Sequence, residues 1–156
     1  MDPKFGKLIE GLPAKLEVLL AMHPLRYDAL PRNMPASGVY LFTEQGHHLY
    51  VGRSNVLRKR HGRHCRPGAT HKQAAFAFQL AREATGRLVA SYRKGEHSRA
   101  GLMLDETFAA AFIAAKERIR RMEYRYVEEP DQNRQALLEI YCAIVLDTPY
   151  NDFGTH

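Results

Sequence analysis

Apolar residues recur at two spacings along this chain, and the change of period marks its elements. Over residues 12–22, Leu12, Leu16, Leu19 and Leu20 fall on one helical stripe, with Pro13 suited to a first turn and Pro24 closing the segment. Residues 27–37, with Pro31 and Pro35, read as a loop. From residue 38 the period drops to two. Residues 38–43 and 47–51 are short, aromatic and β-branched, joined by the three-residue loop Glu44-Gln45-Gly46. They predict a β-hairpin, and pairing Thr43 with His47 sets Tyr40 directly opposite Tyr50 on one face.

Ser54 or Asn55 is placed to cap a helix carrying Val56, Leu57, Arg60, His61 and His64, ended by Arg66-Pro67-Gly68. Thr70 is placed to cap a second helix through Thr85, ended by Gly86. Residues 87–104 carry no clear period and read as irregular. An Ala-rich helix opens at Asp105 and runs to about Arg120. Met122, Tyr124 and Tyr126 then alternate with Glu123, Arg125 and Val127, a strand with two usable faces. Residues 131–147 form a last helix, stopped by Thr148-Pro149. Hairpin, helix, helical insertion, strand and helix predict one α/β (α+β) domain over residues 1–156.

Composition adds little to this. With 156 residues, 45% hydrophobic and 26% charged, the chain is an ordinary globular protein and not a disordered one. Its longest apolar run, residues 108–115, is far short of the about 20 that span a bilayer. No secretory leader is expected, and two cysteines without a CxxC pair point to a reducing, cytoplasmic setting.

Charge changes the picture more. The net charge is +6, yet residues 45–82 contain no Asp or Glu. Arg53, Arg58, Lys59, Arg60, Arg63, Arg66, Lys72 and Arg82 lie there, eight of the 23 basic residues. The other 15 face 17 acidic residues, so the rest of the chain is slightly negative. A one-sided basic segment is the footprint of a phosphate-backbone binder, a solvated face, or a surface for an acidic partner.

Chemistry concentrates at a few positions. Between residues 136 and 146 the last helix carries one charge, Glu139, in an otherwise apolar run that predicts burial on more than one side. Three readings are open for that carboxylate: a divalent-metal ligand, a salt bridge to an arginine, or partial exposure. Facing tyrosines are by default core packing, and Arg60 one more phosphate contact. His61, His64, Cys65 and His71 lack the spacing of a structural zinc site.

The order of these residues carries more than any one of them. Gly38-Val39-Tyr40, followed after nine residues by Tyr50-Val51-Gly52, resembles the paired signature of the GIY-YIG nuclease superfamily. Arg60 stands eight residues after Gly52, His64 four later, Glu139 on a late helix, and Asn151 twelve beyond it, in the family's order. The resemblance covers roughly residues 38–64 and 122–152. It leaves out an N-terminal helical extension, residues 1–37, and a helical insertion, about 66–118.

What the resemblance implies is a three-stranded antiparallel sheet flanked by helices. It further implies an endonuclease that hydrolyses DNA phosphodiesters with one Mg²⁺ or Mn²⁺ ion per active site. Glu139 would bind the metal, Tyr40 act as base or orient the attacking water, Tyr50 line the scissile phosphate, and Arg60 stabilise it. His64 would support the tyrosines, and Asn151 fix the end of the sheet or helix. Arg53 stands where many members carry Lys, and unlike Lys it does not lose a proton.

Arg53, Arg58, Lys59, Arg63 and Arg66 are the expected nucleic-acid contacts. Single-stranded, duplex and branched DNA, and RNA, are all open as substrates, as are monomer and homodimer; no membrane is expected. The insertion, with Lys72, Arg82, Arg87, Arg93, Lys94 and Arg99, is the expected source of substrate choice. The alternative is a catalytically inactive nucleic-acid-binding module on the same fold.

Overall fold

Strands β1 (Gly38–Glu44), β2 (His47–Ser54) and β3 (Glu123–Glu128) form an antiparallel sheet in the order β2-β1-β3. The computed structural model describes residues 1–87 and 98–154. The helices are α1 (Pro3–Glu10), α2 (Leu12–Ala21), α3 (Leu57–Cys65), α4 (Ala75–Thr85), α5 (Arg99–Met103), α6 (Glu106–Arg120) and α7 (Gln132–Leu146). The fold is the expected α+β arrangement, a three-stranded antiparallel sheet flanked by helices. Among the described residues no helix is long and apolar enough to cross a membrane.

Two compact units divide the chain: Met1–Arg60 with Met122–His156, and His61–Arg121. The segment outside the family resemblance, about 66–118, falls within the second.

In the first unit, β1 is central because the pattern Val39-Tyr40-Leu41-Phe42 is apolar on both faces. Val39 and Leu41, with Val51 and Val127, pack against Leu12, Leu16 and Leu19 of α2 and Leu138, Cys142 and Ala143 of α7. Tyr40, Phe42, Tyr124 and Tyr126 form the other face, in T-shaped and tilted ring contacts at centroid distances of 5.2–6.0 Å. Both sheet edges are covered. Leu25 exchanges backbone hydrogen bonds with Tyr124 at 2.8 and 2.9 Å, and Tyr150 N–H reaches Leu49 O at 3.2 Å.

Helix ends follow local chemistry. Asp2 caps α1, Asp105 caps α6 and Asp131 caps α7, each side chain accepting from first-turn N–H groups. The α1 helix was not legible as a stripe, and Leu20 departs from expectation. It is 38% exposed, since one residue past Leu19 turns it about 100° from the buried row. Nor is α7 buried on more than one side: Ile140, Ile144 and Val145 are exposed.

In the second unit α4 and α5 pack on α6, around Phe76, Phe78, Phe108, Phe112 and Ile119. Lys116 is buried here, its ammonium donating to the carbonyls of Pro67 and Ala69 at 2.7 and 2.8 Å and lying 4.7 Å above the Phe112 ring. The α4 helix starts four residues later than expected, because Thr70 O accepts from Gln73 N and Ala74 N in a turn. Gly86 ends it at φ 74°, in the left-handed region open to glycine. Within 87–104, read as irregular, Ser98 caps the short helix α5. Arg93 and Lys94 lie outside the described residues.

Candidate active site

The hairpin differs from its expected register, and the difference has consequences for the two tyrosines. The turn has two residues, Gln45 and Gly46, both with positive φ, and Glu44 pairs with His47. Uninterrupted pairing from there would set Tyr40 against Val51 and send Tyr50 to the opposite face. A bulge intervenes: Thr43 pairs with His48 but Phe42 with Tyr50, leaving Leu49 as the extra residue. Face parity is restored. Tyr40 therefore lies opposite Gly52 rather than Tyr50, and its ring centroid is 6.5 Å from that of Tyr50 across the diagonal.

Gly52 is the reason the Tyr40 ring fits. A β-carbon at position 52 would collide with Cζ and Oη of Tyr40. Gly38, at the other end of the motif, lets β1 approach β3, where a β-carbon would meet the Val127 carbonyl. Both glycines answer close approaches and not turns.

Arg60, in the first turns of α3, points back at this face. Its Nε donates to Tyr40 Oη at 3.3 Å, and its guanidinium also hydrogen-bonds the Tyr50 hydroxyl. Tyr40 is 1% exposed, while Tyr50 and Arg60 are half-buried. Burial pushes the Tyr40 hydroxyl well above the usual phenol range; the Tyr50 and Glu139 charges add to this, and Arg60 opposes it. Tyr50 is raised for the same first reason. Tyr40 is accordingly a neutral phenol at pH 7, suited to hold a water or a guanidinium and unsuited to take a proton unaided.

Glu139 comes to the same place from α7, its side chain 23% exposed. Arg53 Nε lies 4.0 Å from its Oε1, and the Arg53 backbone N–H donates to the carboxylate. Burial nonetheless raises its pKa; the Arg53 charge, that hydrogen bond and the Arg60 charge pull the other way. Of the three readings open from sequence, the geometry combines partial exposure with a loose arginine pair, and leaves carboxylate oxygen available to a cation.

Asn151 is a backbone mimic. Its Oδ1 accepts from Val51 N at 2.8 Å and its Nδ2 donates to Val51 O at 2.7 Å, while Thr148 Oγ1 donates to the same Oδ1 at 2.7 Å. It thus fixes the outer edge of β2 between Tyr50 and Gly52. His64, one turn beyond Arg60 on α3, belongs to the second unit, where it is fully buried with its ring edge-on to Phe76 at 6.4 Å. Arg58, Lys59 and Arg66 are exposed and Arg63 partly so, and Arg58 donates to the Pro31 carbonyl.

Sequence reasoning missed the residue that ties these elements together. Gln135, 1% exposed and one turn before Glu139, accepts from Arg53 at 3.3 Å and donates to Glu129 O at 3.1 Å, Asn55 Oδ1 at 3.1 Å and Ser54 O at 3.4 Å. Its signal was a polar side chain on the buried face of an apolar helix. Glu129, 1% exposed between Lys15 and Arg134 at 3.6 Å each, was likewise missed.

A divalent cation fits this donor set in one way. Among the described residues no three His, Cys, Asp or Glu side chains converge. Glu139 would hold the ion alone, with water and phosphate oxygens filling the other positions, a pattern suited to Mg²⁺. No family model matches the chain, and no curated protein or solved structure matches it.

Proposed function

We propose that this chain is a divalent-metal-dependent endonuclease of the GIY-YIG type, hydrolysing DNA phosphodiesters. The observation that carries the reading is the convergence of Tyr40, Tyr50, Arg60 and Glu139, from two strands and two helices separated by up to 99 positions, on one face of the sheet. A packing role for the tyrosines asks for neither a guanidinium on both hydroxyls nor a partly desolvated carboxylate beside them. In-line displacement at phosphorus asks for both, because charge grows on the non-bridging and leaving oxygens.

Mg²⁺ or Mn²⁺, when bound, would supply charge neutralisation and a more acidic water. Glu139 would hold the ion. Arg60 donates to the phosphate oxygens, and its hold on both tyrosines fixes the guanidinium's direction. Tyr50, the more open of the two, lines the phosphate. Tyr40, buried and neutral, orients water and Arg60 and is not the proton acceptor in the resting protein. The exposed Arg58 and Lys59 neutralise flanking phosphates.

Incubation with single-stranded, duplex and branched DNA, each with Mg²⁺ and with EDTA, tests the reading. Metal-dependent cutting of any member supports it. Binding of DNA with no cutting in Mg²⁺ leaves an inactive binding module.

A further inference from the structure

Arg53 raises a physical difficulty for a metal site at Glu139. A guanidinium that closed on the carboxylate bidentately would occupy the oxygens a cation needs and repel the cation as well. Arg53 is near enough to do so, with Nε 4.0 Å from Oε1 and a side chain 41% exposed. Instead its NH1 is engaged by Gln135 Oε1 at 3.3 Å.

The orientation of that amide is fixed by its surroundings. Gln135 Nε2 faces the backbone carbonyls of Ser54 and Glu129 at 3.4 and 3.1 Å, so a flipped amide would set oxygen against both carbonyls and nitrogen against the guanidinium. Asn55 reinforces it: its Oδ1 accepts from Gln135 and from Gln132 at 3.1 and 2.8 Å, and its Nδ2 donates to Gln132 Oε1 at 3.0 Å. A three-amide network, buried at Gln135 and exposed at Asn55 and Gln132, thus presents one oxygen to Arg53.

We propose that Gln135 is a positioning residue that, by accepting from Arg53, holds the guanidinium short of a closed pair with Glu139 and so keeps the carboxylate open to a divalent cation. The inference rests on Glu139 as metal ligand. It assigns Arg53 two separate duties, a contact to substrate phosphate and a tether on α7, and places control of metal affinity in a residue that touches neither metal nor substrate.

Mn²⁺ binding by the intact chain without DNA, followed by calorimetry and by the paramagnetic signal of free Mn²⁺, reads this directly. Gln135→Met keeps the length and removes the acceptor, so Arg53 is released onto Glu139. Mn²⁺ affinity should fall about fivefold, the upper end for one partly exposed charge pair. Arg53→Met removes the competitor, so it should bind Mn²⁺ at least as tightly as wild type. The double variant should match Arg53→Met and not Gln135→Met, a coupling that a merely structural glutamine does not produce.

Unchanged affinity in Gln135→Met, weaker binding in Arg53→Met, or a double variant as weak as Gln135→Met overturns the proposal. If Gln135→Met does not fold, the Arg53→Met affinity alone decides. Glu139→Gln, measured alongside, separates the two levels. Wild-type binding that is insensitive to Glu139→Gln removes the metal reading itself, and this inference with it.

Discussion

Glu139→Gln distinguishes a metal ligand from half of a structural salt bridge, because the two roles predict different stabilities without metal. Burial raises the Glu139 pKa more than the Arg53 charge, its N–H and Arg60 lower it. A carboxyl whose folded pKa lies above its unfolded value costs stability as pH rises from the unfolded pKa through the folded one, and the whole cost is present above that. Glutamine removes the cost, keeps the shape, and still offers an amide oxygen to the Arg53 N–H. What it gives up is an ion pair at 4.0 Å between side chains 41% and 23% exposed, worth about 0–1 kcal/mol. The melting temperature at pH 7 without metal should therefore be unchanged or raised, and no more than about 4 °C lower at the least favourable end. A closed, buried pair would instead cost about 3–5 kcal/mol on losing its carboxylate, roughly 6–20 °C for a domain of this size. Scanning calorimetry at pH 7 and pH 5 gives both numbers, and any gain of the variant should shrink at the lower pH, where the wild-type carboxyl is closer to neutral. Adding Mn²⁺ should raise the melting temperature of wild type alone. A drop of more than about 6 °C at pH 7 would refute the account of this carboxylate.

Tyr40→Phe should abolish cleavage with DNA affinity and melting temperature near wild type, since the ring stays and only the hydroxyl bonded to Arg60 goes; assay of all three on one preparation checks it. Gly52→Ala should destabilise the fold by about 1–3 kcal/mol in urea titrations, because the new methyl meets the Tyr40 ring. Replacing Arg58 and Lys59 together should flatten the slope of log K against log salt for DNA by nearly two phosphate contacts; an unchanged slope puts the binding surface elsewhere. Burial lowers the His61 pKa to about 4. A depressed imidazole supports the fold above its unfolded pKa of about 6.5 and loses that support as pH falls toward 4, so acidification should cost about 3 kcal/mol that His61→Gln does not lose.

Period and punctuation carried the sheet and most helices. Gly86, Asp105 and Asp131 stop or start elements through local backbone chemistry, which a sequence displays directly, whereas α7 ends on Asp147 in the left-handed region, ahead of Thr148-Pro149. The bulge at Leu49 was not legible, because it depends on how a two-residue turn and a strand reconcile their parity, a property of the pair and not of either strand. The motif glycines were legible as letters but not as causes; only the Tyr40 ring over Gly52 and the Val127 carbonyl beside Gly38 give the reasons. Glu139 stood out as the lone charge in an apolar run. Its neighbour Gln135 did not, since the hydrogen bonds that give it a purpose reach Ser54 and Asn55, 80 positions away or more. Likewise the pairing of Asn151 with Val51, 100 positions away, follows from the C-terminal segment running along the β2 edge.

The central claim is that this sheet face performs metal-dependent phosphodiester hydrolysis. Single-turnover cleavage of the best-bound DNA by wild type and Glu139→Gln, at one Mg²⁺ concentration that saturates wild type, tests it most directly. The account predicts a rate loss of at least about 1,000-fold in the variant, the scale of removing a principal electrostatic group, at a DNA affinity close to wild type. A variant that cuts within tenfold of wild type, or a wild type that binds every DNA offered and cuts none in Mg²⁺ or Mn²⁺, contradicts it.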